Sequence, residues 1–313
     1  MLNIIGIDIG GTKCIVSLAE WVDNKLQFKK VQRFLTMPQR GPEAILGHIE
    51  SIVKDMMKVE ANIAAIGISC GGPLDSLKGI IMSPPNLPGW ESVRIVERMA
   101  ARFDIPIYLE NDANADALAE WLFGAGRGAN NLVFMTFGTG LGAGLIMNGH
   151  LYTGAHGMAG ELGHWRLSEE FGPINYGKTG SFQGYCSGNG IVMWYHHLLG
   201  QQDAMLTAEE IAILARKGDE LAQRVYRQSG EVLGQGLALL IDLLAPDIII
   251  IGGIFSYSYD LIGTYVEKVI DNESLKVLRQ SCTIKPSVLG QDIGNYAGCI
   301  VAVNKILEIK NDF

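Results

Sequence analysis

The sequence predicts an α/β protein of two domains flanking a cleft, and three observations carry that expectation. Its 313 residues are too many for one small core, which makes two domains the default. Short apolar runs alternate with longer amphipathic stretches, the pattern of strands interleaved with helices. One plan, strand then glycine-rich turn then strand, occurs at 3–20 and again at 131–154.

Residues 3–9 and 14–20 read as strands around the turn Gly10-Gly11-Thr12-Lys13, and 26–36 as a third strand ending before Pro38. Within 42–58, Ile45, Ile49, Ile52, Val53 and Met56 form one helical stripe, with Pro42 near its start. Residues 63–69 are a buried strand that runs into the loop 70–75, and 83–90 is too rich in proline for helix or central strand. A helix is expected at about 92–103, then the strand 107–111, with Asp112 where the next helix begins. After the second hairpin come helices near 207–216 and 219–244, a strand at 247–253, a helix near 260–271, a strand near 282–288 and a final helix from about 294. Two halves that each open on a glycine-turned hairpin are consistent with internal duplication, and a cleft between them lets both turns face one ligand. The boundary is placed near residue 115, giving domains 1–115 and 116–293.

Composition narrows the function classes. The 25 Lys and Arg against 33 Asp and Glu give a net charge of −8, which argues against a nucleic-acid partner that needs its phosphates neutralised. No apolar run approaches the roughly 20 residues of a membrane helix, and the N-terminus lacks a basic-then-apolar signal sequence. The five cysteines, at 14, 70, 186, 282 and 299, are scattered and odd in number, so a disulfide framework is not expected. The expectation is a soluble cytoplasmic protein.

Glycines let backbone N–H groups converge on an anion, and a neighbouring threonine hydroxyl adds a donor. The first turn lacks the spacing of a Walker A loop. Gly138-x-Gly140-x-x-Ala143 is a formal dinucleotide match, but such a fingerprint must open a helix, whereas the residues after it read as a strand. An ordinary tight hairpin would explain either turn alone. Two such turns, with the pair Gly252-Gly253 after a third buried strand, make a phosphate-binding reading the better one. Asp112 at a helix start suits a general base, because the free N–H groups there favour its ionised form. A plain N-cap aspartate suits the position equally well.

The segments IGIDIGGTK, LENDANADALAE, FGTGLGAGLIMNG…GAHGMAGELGH and PDIIIIGG resemble the ROK family of sugar kinases, of the actin-like ATPase superfamily, from residue 4 to about 303. The resemblance implies two ribonuclease-H-like domains, with the final helix 294–313 returning to the N-terminal domain, and a homodimer. It implies ATP with Mg2+ and phosphorylation of a hexose, usually at its 6-hydroxyl. Gly10, Gly11, Thr12 and Lys13 are implied to cradle the phosphates, with Gly138, Thr139 and Gly140 closing from the other domain. Asp8 is implied to orient hydrated magnesium through water, and Gly252 and Gly253 to admit the adenosine. Asp112 becomes the implied base, with Asn86, Asn111, Asp112, Glu161 and His164 on the sugar. Lys13 as a merely solvated lysine, and the 252–253 pair as a simple chain turn, remain the plain alternatives.

One segment departs from the family. Most members carry a zinc site of pattern C-x-C-G-x-x-G-C-x-E, completed by the histidine of E-x-G-H. Here the cysteine positions are Ile174, Tyr176 and Ser181, and the glutamate, usually a sugar contact, is Gln183. One histidine and an off-register Cys186 cannot make the four-ligand site that zinc prefers, so no structural zinc is expected. Packing around Tyr176 and Phe182 is expected to hold the loop instead. An amide at 183 can bond a hydroxyl but carries no charge, which leaves open an N-acetylhexosamine kinase (N-acetylmannosamine or N-acetylglucosamine) beside a glucokinase-like enzyme. A sugar sensor related to the family's repressors is a third reading. It is disfavoured because the first strand begins by residue 3, leaving no room for a helix-turn-helix, and because Asp112 and both turns are intact.

Overall fold

Leu2–Ile9 forms β1, whose interior is a nearly continuous isoleucine run because the strand is covered on both faces. The computed structural model describes residues 1–168, 172, 174–200 and 206–311. β1 is followed by β2 (Lys13–Val22), β3 (Lys25–Leu35), α1 (Gly41–Val59), β4 (Ile63–Cys70), the short pair β5 (Leu74–Asp75) and β6 (Ile80–Ile81), α2 (Ile95–Ala100), β7 (Ile107–Asn111) and α3 (Asp112–Phe123). Then come β8 (Leu132–Phe137), β9 (Leu141–Met147), β10 (His150–Tyr152), α4 (Phe182–Tyr185), α5 (Gly188–Leu199), α6 (Ala208–Arg216), α7 (Glu220–Leu244), β11 (Ile248–Ile251), α8 (Ile254–Glu273), α9 (Lys276–Ser281), β12 (Thr283–Pro286) and α10 (Ile293–Asn311).

The chain divides into two compact units. One comprises Met1–Gly124, Leu151–Ala159 and Gln291–Phe313; the other comprises Ala125–His150 and Gly160–Gly290. The expected boundary near residue 115 lies inside α3, a continuous helix that ends at Phe123 before Gly124. Residues 312–313 of the expected final helix lie outside the described residues.

The sheets share one plan. The first has strand order β3-β2-β1-β4-β7, with β1–β2 and β2–β3 antiparallel and β1–β4 and β4–β7 parallel. The second has order β10-β9-β8-β11-β12, with β8–β9 antiparallel and β8–β11 and β11–β12 parallel. β3 is an edge strand, and its Lys25, Lys29, Lys30 and Arg33 guard the open edge against further pairing. Parallel strands end together: Ile9 pairs with Cys70 and Cys70 with Asn111, so the residues that follow β1, β4 and β7 meet at one sheet end. That end is where open α/β sheets bind ligands. Under the first sheet, Ile45, Ile49, Ile52, Val53 and Met56 of α1 join the core, as the helical stripe requires.

Some expectations shift. The helix expected at 92–103 is only Ile95–Ala100, and that expected at 260–271 begins at Ile254, directly after the glycine pair. Non-helical Ser258 interrupts α8 and breaks the periodic stripe near its start, which hid the first turns. α4 and α5 were not foreseen; serine caps open both, Ser181 accepting from the Gly184 N–H at 3.1 Å and Ser187 from that of Gly190 at 3.0 Å.

Candidate active site

Four candidate segments meet at the carboxyl ends of β1, β4 and β7. The Gly10–Lys13 turn closes when the Gly10 N–H donates to the Lys13 carbonyl at 3.1 Å. The Thr36 hydroxyl pins it by donating to the Gly10 carbonyl at 2.6 Å. Among the described residues the Gly11 and Thr12 N–H groups take part in no such bond, and Thr12 and Lys13 are exposed, which suits donors awaiting an anion. Gly11 packs on Asn86: a Cβ there would stand 2.6 Å from the Asn86 Cβ, so only glycine lets the two loops approach. The first turn and the proline-rich loop are thereby neighbours.

Asp112 is the first residue of α3, and the N-cap is Asn111, whose Oδ1 accepts the Ala113 N–H at 2.9 Å. The same N–H reaches Asp112 Oδ1 at 2.8 Å. A dedicated cap therefore stands beside Asp112, and the plain N-cap reading belongs to Asn111. Glu110 is buried and structural: it accepts the Asn111 N–H and the Asn114 amide, both at 2.9 Å, and burial raises its carboxyl above the usual range. Gly71 lies alongside Asp112, because a Cβ there would meet Asp112 Oδ2 at 3.4 Å.

Asp8 faces this group. Burial pushes its carboxyl up to about 7; the Ser69 hydroxyl, donating at 2.9 Å, and Lys13 pull it down, while the Asp112 charge adds to the rise. Asp116, one turn beyond Asp112, is held well above the carboxylate range by burial and then by Asp8, Asp112 and Glu120. Crowded carboxylates with one nearby ammonium form a field that a cation relieves. Among the described residues no group of three or more ligating side chains could cage a metal. Asp8, with Asp112 and Asp116 close by, would suit a hydrated cation held through its own water. Asp116 and Ser69 escaped sequence reasoning, although the i, i+4 spacing from Asp112 was a usable signal for the first.

The second unit repeats the arrangement. β8 runs into Gly138-Thr139-Gly140, where the Gly138 N–H donates to the Gly140 carbonyl at 3.1 Å and Thr139 is exposed. β9 follows as a strand, which removes the dinucleotide fingerprint. Gly252 donates to the Met135 carbonyl at 2.9 Å, and Gly253 is the N-cap of α8 beside the Phe137 carbonyl and the Gly138 nitrogen. Both glycine-rich segments of this unit are therefore adjacent.

Glu161 precedes a single 3-10 turn, Leu162–His164, without capping it through its side chain, and both Glu161 and His164 are exposed. Residues three apart eclipse in such a turn, so the two side chains share a side. Gln183 is the second residue of α4, and its Oε1 accepts the Leu141 N–H at 2.9 Å, next to Gly140. Of the family's cysteine positions, Ile174 is 62% exposed, Tyr176 stacks on His164, and buried Ser181 caps α4. Phe182 is fully buried beside Trp165 in a near-parallel pair. Cys186 is buried away from the loop, its thiol donating to the Ser229 carbonyl at 3.5 Å and raised by burial.

A family model described as the ROK family matches residues 4–304. The chain is 34% identical over 283 residues to a glucokinase of Thermotoga maritima, covering 86% of this chain and 88% of that one. It is 27% identical over 313 residues to the xylose repressor of Caldicellulosiruptor bescii, covering 96% and 78%. Among solved structures it is similar to a ROK family glucokinase from Streptomyces griseus in complex with glucose and AMPPNP, with a TM-score of 0.75, 27% identity, and coverage of 97% of this chain and 98% of that one.

Proposed function

The chain belongs to the ROK family, and from that premise we propose that it is an ATP-dependent hexose kinase, glucokinase-like, that phosphorylates the 6-hydroxyl. The glucokinase relative and the solved glucokinase holding glucose and AMPPNP support both substrates. One observation carries the reading in this chain: Asp112 sits at the first position of α3, with capping left to Asn111, in the charge field of Asp8.

In the proposed reaction the sugar hydroxyl gives its proton to an Asp112 oxygen as its own oxygen attacks the γ-phosphorus and the bond to ADP breaks. Asn86, Asn111, Glu161, His164 and Gln183 hold the other hydroxyls. Gly10, Gly11, Thr12 and Lys13, with Gly138, Thr139 and Gly140, hold the phosphates, and Gly252 and Gly253 admit the adenosine. Asp8 would hold hydrated magnesium through its water, and the ion would supply charge neutralisation on the phosphates when bound with the nucleotide. We propose further a homodimer, from the family, and, from the net charge of −8 and the composition, a cytoplasmic protein without a nucleic-acid partner; among the described residues no helix is long and apolar enough to cross a membrane.

Gln183 in place of the family's glutamate favours one second reading, an N-acetylhexosamine kinase. A coupled ADP-release screen over glucose, fructose, allose, N-acetylmannosamine, N-acetylglucosamine and β-glucosides separates the two. Turnover of glucose above the N-acetyl sugars is expected, 6-deoxyglucose is expected to give none, and an ADP rate indifferent to every sugar would refute the proposal.

A further inference from the structure

One tight turn grips two of the residues proposed to meet the sugar. Asn175 and Lys178 exchange backbone N–H···O bonds of 3.0 and 3.1 Å. Between them Tyr176 and Gly177 take φ of 53° and 68°, the left-handed pair of a two-residue hairpin turn. The Tyr176 ring lies on the His164 imidazole, with centroids 3.5 Å apart and planes at 23°. Its hydroxyl donates to Gln183 Oε1 at 2.8 Å. Lys178 Nζ donates to the His164 carbonyl, and Gln183 Nε2 donates to Asn175 Oδ1 at 3.2 Å.

These bonds fix what position 183 can offer a ligand. An amide oxygen has two lone pairs, and here the Leu141 N–H and the Tyr176 hydroxyl take both. The Leu141 N–H also decides which end of the amide is oxygen, since an NH2 group there would set donor against donor. One N–H of Nε2 remains. A carboxylate at this position would only accept, so the pairing of Gln183 with Tyr176 turns an acceptor into a donor. Burial raises the Tyr176 phenol, and the Glu161 charge adds to the rise, which keeps the hydroxyl a donor through neutral pH.

We propose that the Asn175–Lys178 turn is a clamp built from protein alone, that Tyr176 is the positioning residue holding His164 and Gln183, and that the clamped Gln183 donates a hydrogen bond to an acceptor oxygen of the sugar. The inference rests on the hexose-kinase reading above and names the polarity of one contact in that site. A hydroxyl or an N-acyl carbonyl meets the requirement.

Two measurements on the full chain test it. In 1H NMR spectra without sugar, the His164 ring protons, assigned by their loss in His164→Gln, are expected upfield in wild type and in Tyr176→Phe. They are expected to return toward unstacked values in Tyr176→Leu. In initial-rate assays with ATP and D-glucose, Tyr176→Leu is expected to raise the glucose KM at least tenfold and leave the ATP KM within twofold. Tyr176→Phe is expected to fall between Tyr176→Leu and wild type. Gln183→Glu keeps both acceptor bonds but loses both N–H donors, the one on Asn175 Oδ1 included, so its glucose KM is expected to rise at least fivefold and above that of Asn175→Ala, which breaks only the clamp bond. Unshifted His164 protons in wild type, or a glucose KM within twofold of wild type in Tyr176→Leu, would overturn the clamp; an unchanged KM in Gln183→Glu would overturn the donor assignment. A wild type that phosphorylates no hexose would instead remove the kinase reading, and the NMR comparison would still decide the clamp.

Discussion

Asp8 is held at a disadvantage when ionised. Its folded pKa, about 7, lies above the ordinary 3.8, so between about pH 4 and 7 the unfolded chain binds fewer protons than the folded one. Stability from this group is therefore full below pH 4 and falls as pH rises to 7. Asp8→Asn keeps an oxygen for the Ser69 hydroxyl and removes the buried charge. It is expected to stabilise the ligand-free protein at pH 8 by on the order of 2 kcal/mol, allowing for solvent screening, and to change nothing at pH 4. Thermal unfolding at both pH values checks this, and an equal offset at both would contradict burial as the cause. Turnover is expected to fall in the same variant, a trade of stability for activity that the proposed role of Asp8 entails.

At the scale of elements, α10 is joined to the first sheet through bare backbone. A Cβ on Gly298 would lie 2.3 Å from the Ile7 nitrogen, and one on Gly67 would lie 2.1 Å from the Gly298 carbonyl oxygen. Helix and strands meet with no side chain between them, so Gly298→Ala must move α10 off β1 and β4. A loss of about 3 kcal/mol is expected in urea unfolding, and a change under 0.5 kcal/mol would contradict the close approach. Elements with a strong period were legible in the sequence: the isoleucine strands, the α1 stripe, the two glycine hairpins and the helix opening at Asp112. What escaped lay where local signals are short or tertiary. α4 has four residues, too few to show a period, and the start of α8 is broken at Ser258. In the site, residue types that carry chemistry stood out, Asp112 and the glycine turns foremost. The roles assigned by partners did not: Asn111 as the cap, Ser69 on Asp8, Tyr176 on His164. Those pairs depend on strand ends and turns meeting, which spacing along the chain does not record.

For the whole molecule, one fold serves kinases and repressors alike, so function rests on the site and on charge rather than on architecture. A net charge of −8, with 33 acidic residues against 25 Lys and Arg, opposes binding to a polyanionic duplex. No retardation of double-stranded DNA is expected at micromolar protein in 150 mM salt, whereas a discrete, salt-sensitive shift would favour the regulator class. The glycine turns and Asp112, in the roles proposed for them, favour phosphoryl transfer instead. The decisive comparison is wild type against Asp112→Asn, with calorimetry for sugar binding and 31P NMR for the product. Hexose 6-phosphate is expected from wild type, and from the variant equal sugar affinity with a rate lower by about 10²- to 10⁴-fold, since the amide cannot take the proton. Sugar phosphate formed by the variant at near the wild-type rate would contradict that expectation.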